Sequence, residues 1–150
     1  MTTMNFKKIH IGKLISQRVQ ETEIELTRIC RFFDCTEKEI VQMYESENLY
    51  PDVIMKWCKL LEYDFFRIYT QHLILYAPID PEKYNKRKTG KSALPSFRKS
   101  IYTREVIEFV LELVQNGKKT KSQIIEEYKI PKTTLYKWLQ KYNTEKESKI

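Results

Sequence analysis

The chain has 150 residues, with 27 Lys and Arg against 20 Asp and Glu, a net charge of +7. A hydrophobic fraction of 41%, an aromatic fraction of 13% and only 3 Gly exclude a disordered or fibrous polymer and point to helices in one medium domain or two very small ones. Cys30, Cys35 and Cys58 are odd in number and lack CxxC spacing, and His10 and His72 stand apart, so neither a disulfide framework nor a metal centre is expected, and no cofactor. The opening "MTTMNFKKIHIGK" lacks the apolar core of a signal peptide, and no apolar run approaches the ~18 residues of a membrane span. A soluble, cytoplasmic protein with no membrane contact is the expectation.

Residues 1–76 hold 10 Lys and Arg against 11 Asp and Glu, a net of −1, and read as five short helices. Ile9, Ile11, Leu14, Ile15 and Val19 share one helical face. Ile24, Leu26, Ile29, Cys30 and Phe33 suit a second helix entered after Thr22, broken at Asp34-Cys35. Thr36 with Glu39 three residues on is a capping box for a third helix that buries Ile40, Met43 and Tyr44. Pro51 opens a fourth, with Val53, Ile54, Trp57, Leu60 and Leu61 inward, and Asp64 caps a fifth, "FFRIYTQHLILY".

The segment from Ile11 to about Tyr69 resembles the lambda-repressor-like (Cro, Xre-type) helix-turn-helix domain. The shared features are the opening Ile-Gly-Lys, the small Cys30, the apolar Cys35, Ile40 and Met43, and the Pro-started fourth helix. Asp34 replaces the family's turn glycine, and Asp tolerates the left-handed conformation. The resemblance implies DNA binding. The start of the third helix, Thr36-Glu37-Lys38-Glu39, departs from it, because carboxylates repel phosphate. DNA contact and a helical module kept for dimer or partner contacts both stay open for this half.

Residues 77–102 carry 7 basic and 2 acidic side chains, a net of +5, with Pro78, Pro81, Gly90 and Pro95 and no sustained apolar period. They read as a linker. Its cations, Lys83, Lys86, Arg87, Lys88, Lys91, Arg98 and Lys99, form a basic arm suited to phosphates or a minor groove, or else a solvated tether.

Residues 103–150 hold 10 basic and 7 acidic side chains, a net of +3, and three helices are expected. Thr103 caps "REVIEFVLELVQ", whose Val106, Ile107, Val110, Leu111 and Val114 face inward, and Asn116-Gly117 stops it. Thr120 or Ser122 starts the next helix, with Ile124, Ile125 and Tyr128 apolar. Ile130 closes a turn, Pro131 takes the first position of the last helix, and Leu135, Trp138, Leu139 and Tyr142 repeat on its inner face. Lys132, Thr133, Tyr136, Lys137 and Gln140 are left outward, with no carboxylate among them. In a helix-turn-helix the start of the second helix enters the major groove. The candidate DNA contacts are therefore Lys132, Thr133, Thr134, Tyr136 and Lys137, with Lys119 and Lys121 from the preceding turn and Arg87 and Lys88 from the arm.

The stretch "SQIIEEYKIPKTTLYKWLQKY" resembles the homeodomain-like helix-turn-helix of insertion-sequence transposases and serine recombinases. In those families a Ser or Thr followed four residues later by a basic residue contacts DNA, which implicates Thr133 and Lys137. Lys129 stands where the turn often has Gly; a left-handed Lys costs about 1 kcal/mol or more, so a longer turn is expected. The fold expected is all-α: a five-helix lambda-repressor-like domain (1–76), a basic linker and a three-helix homeodomain-like domain (103–150).

A transposase holds metal with a carboxylate triad on a large domain of its own, for which these helices leave no room, so no catalysis is expected here. A sequence-specific double-stranded DNA-binding protein of transposase type fits best, with a homodimer mate or a catalytic transposase chain as partner classes. The alternatives are a transcriptional regulator with an N-terminal dimerisation domain and a protein-interaction adaptor.

Overall fold

The computed structural model describes residues 4–80, 93–95 and 102–147, with side chains of the last helix to Tyr142. Lys83, Lys86, Arg87, Lys88, Lys91, Arg98 and Lys99, the basic arm read from the sequence, lie outside the described residues. The described structure is all-α. Its helices are α1 (Ile11–Thr22), α2 (Leu26–Phe33), α3 (Glu37–Glu45), α4 (Pro51–Leu61), α5 (Phe66–Tyr76), α6 (Arg104–Gln115), α7 (Lys121–Tyr128) and α8 (Lys132–Glu147). The first five form an N-terminal bundle and the last three a helix-turn-helix region. Two compact units divide between Thr70 and Gln71, inside α5. No helix of the described residues is long and apolar enough to cross a membrane.

In the N-terminal unit α1 and α2 each pack on both α3 and α4. Ile11, Ile15, Ile29, Ile40, Ile54, Trp57, Leu61 and Phe65 are buried, which is the periodic apolar set turned inward. The local signals hold where the chemistry is local. Thr36 Oγ1 accepts from Glu39 N at 3.4 Å while the Glu39 carboxylate accepts from Thr36 N at 2.8 Å, closing the capping box. Those hydrogen bonds to the ionised form hold the Glu39 carboxyl below its ordinary range. Pro51 is at the start of α4. Asp34 takes the left-handed conformation (φ 52°, ψ 51°), as the turn requires.

Elsewhere the expected second helix is too long. Glu23 caps α1 in the left-handed conformation and α2 begins only at Leu26, so Ile24 lies between helices and Leu26 is exposed. His10 caps α1 through Nδ1, which accepts from Lys13 N at 3.3 Å. The following residue but one, Gly12, is fully covered, because α1 abuts the carbonyl end of α3. Ile11 N–H donates to Glu47 O at 3.2 Å and Gly12 N–H to Ser46 O at 3.1 Å. Two orphan donors at the start of one helix thus meet carbonyls of the chain just as it leaves another.

The C-terminal unit builds its core from Val106, Val110, Leu111, Ile124, Tyr128, Ile130 and Leu135. Thr103 caps α6 as expected, with Oγ1 accepting from Val106 N at 3.5 Å, and Gly117 ends it at φ 66°. The Thr103 N–H in turn donates to Oε1 of buried Gln71 at 3.1 Å. Trp138 is not the deep core residue its spacing suggests: it is half-buried, edge-on to Tyr102 at 5.0 Å, while Leu135 is fully buried.

Candidate nucleic-acid interface

Short helices need strong ends, and the interface is built from two of them. Thr120, the first of the two expected starts, begins α7 with a capping box. Its Oγ1 accepts from Gln123 N at 3.2 Å and Gln123 Oε1 accepts from Thr120 N at 2.9 Å. α7 ends at Tyr128. Lys129 then takes the left-handed conformation itself (φ 53°, ψ 30°), so the turn is not lengthened to avoid it. Buried Ile130 anchors the turn, and the strain of about 1 kcal/mol is outweighed by that side chain's burial, worth roughly 1.5–3 kcal/mol. Pro131 sits one place earlier than expected, just before the helix, and its carbonyl accepts from Leu135 N at 3.1 Å.

With Leu135 inward, Lys132, Thr133, Tyr136, Lys137 and Gln140 are all exposed on α8, and Thr134 is half-buried. Tyr136 is 44% exposed and is flanked by two ammonium groups, Lys121 Nζ at 5.1 Å and Lys132 Nζ at 5.6 Å from its ring centroid. Lys119 differs. It is half-buried, its Nζ pairs with the Glu127 carboxylate and lies 5.9 Å from the Tyr128 ring centroid. The hydrogen bond to Glu127, more than partial burial, sets the direction of its pKa, which is raised. Its cation is partly neutralised before any phosphate arrives. Among the described residues, no carboxylate pairs with Lys121, Lys132 or Lys137.

Residues 98–142 match the family model described as a helix-turn-helix domain of resolvase. The match covers α6, α7 and α8 as far as Tyr142 and implies DNA binding by this region. No curated protein and no solved structure matches the chain.

The N-terminal unit repeats the local geometry of this helix-turn-helix with opposite chemistry. α2 and α7 each have 8 residues, and each ends in a left-handed charged residue, Asp34 or Lys129. α3 and α8 follow after Thr36 and Pro131, and each buries its fourth residue, Ile40 or Leu135. The matching outward positions are Glu37, Lys38, Val41, Gln42 and Glu45 on α3 against Lys132, Thr133, Tyr136, Lys137 and Gln140 on α8. Val41 is 47% exposed between those carboxylates. One face suits phosphate and base edges; the other repels them.

Proposed function

We propose that the chain is a sequence-specific double-stranded DNA-binding protein of transposase type that reads the major groove with the start of α8 and carries no catalysis in these residues. The observation that supports this best is the outward face of Lys132–Gln140 on α8, which holds no carboxylate and is set on the turn geometry of a resolvase-type helix-turn-helix. Thr133 and Lys137, one turn apart and exposed, meet base edges. Lys121 and Lys132 lie at the helix starts, where the positive dipole ends also favour phosphate, and Tyr136 lies one turn into α8. Thr134 is half-buried and has less of its side chain available for a phosphate or base edge than Thr133. Lys119 contributes less, because Glu127 shares its charge. The catalytic step of transposition belongs, in this reading, to a partner chain.

A second reading rests on α3. Its Glu37, Val41 and Glu45 suit a protein surface better than a groove, so the N-terminal unit, lambda-repressor-like in helix order, serves a homodimer or another partner. That arrangement is equally that of a transcriptional regulator.

Duplex affinity measured against salt tests the DNA reading. About five phosphate contacts give a log–log slope of about −4 to −5. Lys137→Ala is expected to weaken binding to a selected site more than to random duplex. Affinity indifferent to salt would leave the adaptor alternative standing instead.

A further inference from the structure

Lys121 is the first residue of α7 and Lys132 the first residue of α8. Both helices lack an acidic residue in their first turn, as α1, α2 and α5 do, and α6 also opens on a cation, Arg104, but with Glu105 beside it and Glu108 paired to it. A cation at a helix start is opposed by the dipole. Two such cations are nevertheless gathered on one exposed ring, at 5.1 and 5.6 Å from the Tyr136 centroid, inside the range of cation–π attraction. What sets Lys121 and Lys132 apart is that they share one ring and that, among the described residues, neither is paired with a carboxylate, so an anion bound there would offset the cost of both.

Resting on the DNA reading above, we propose that Tyr136 is a positioning residue whose ring holds Lys121 and Lys132 as one two-pronged grip for the phosphates of a single DNA strand. The grip joins the two helices of the motif, since one lysine comes from α7 and the other shares α8 with the ring. Long lysine side chains lose rotamer freedom on binding, and a ring that gathers them beforehand lowers that cost. Thr133 and Lys137 are thereby left to the base edges. The ring acts on phosphate affinity at every sequence, and not on the choice of site.

The test uses the full chain and a fluorescein-labelled random-sequence duplex. Tyr136→Phe keeps the ring and is expected to bind several-fold more tightly than Tyr136→Leu. Tyr136→Leu is expected to bind about 3- to 10-fold more weakly than the unsubstituted protein, because the two lysines must then be ordered as the phosphates bind. Lys121→Gln should cost clearly less in the Tyr136→Leu background than alone, because the two act together. In the free protein, the upfield ring-current shifts of the Lys121 and Lys132 side-chain methylenes should vanish in Tyr136→Leu and persist in Tyr136→Phe. Equal binding by the Phe and Leu variants, or strictly additive losses, overturns the grip while leaving DNA binding intact. An unsubstituted chain with no affinity for the duplex overturns the DNA reading itself and the grip with it.

Discussion

Substituting Gly12 by Ala sets two general rules against each other. Helix propensity favours Ala over Gly by up to about 1 kcal/mol. The structure opposes it. A Cβ at Gly12 would lie 2.3 Å from Met43 O, 2.4 Å from Tyr44 O and 2.6 Å from Ser46 O, all backbone atoms at the end of α3. None of them can rotate away, so α1 must back off. Retreat stretches the Ile11–Glu47 and Gly12–Ser46 hydrogen bonds, each worth about 0.5–1.5 kcal/mol. Overpacking adds about 1–3 kcal/mol. The net loss is about 1–5 kcal/mol after the propensity gain, which lowers the melting temperature of a unit this size by roughly 5–40 °C. Calorimetry on the full chain, following the N-terminal transition, reads it directly. An unchanged or raised melting temperature would refute the docking of α1 on the carbonyl end of α3.

Leu135→Ala should destabilise the C-terminal unit by about 2–5 kcal/mol, and Trp138→Ala by less, since Leu135 is fully buried and Trp138 is not; denaturant titration ranks the two. Gln71→Leu leaves the Thr103 N–H without the acceptor it has at 3.1 Å and should cost about 1–3 kcal/mol in the C-terminal unit, though Gln71 is far from α8 in sequence. Thermal melts of that unit at constant salt would show it. Glu39, whose folded pKa is depressed by its bonds to Thr36, adds stability above the ordinary Glu range that is lost as pH falls through its folded value. Glu39→Gln should therefore flatten the acid limb of the N-terminal unit's stability profile, and an unaltered limb would remove the capping box from the account.

Helix ends were legible wherever the chemistry that makes them is local. Thr36 with Glu39, Pro51, Thr103 and Asn116-Gly117 each act within a few residues, and each sits where its spacing places it. The outward face of α8 was legible too, because a buried Leu135 fixes the rest of the helix by rotation alone. Thr120 with Gln123 was a readable capping box that only its first half announced. What the spacing missed depends on other elements. The Gln71 side chain finds Thr103 from 32 positions away. Glu127 takes up the charge of Lys119 from near the far end of α7. Trp138 has the period of a core residue, but its depth depends on what covers it. Lys129 adopts the strained conformation because burial of Tyr128 and Ile130 on either side rewards a short turn. A propensity scale, read one residue at a time, prefers the longer one.

The central claim is that α8 and not α3 meets DNA. Titrating duplex into isotope-labelled full chain, with backbone amide shifts followed residue by residue, tests it most directly. The account predicts the largest changes at Lys121, Lys132, Thr133, Tyr136 and Lys137, with Glu37–Glu45 unmoved. Changes concentrated on Glu37–Glu45, with the start of α8 silent, would contradict it.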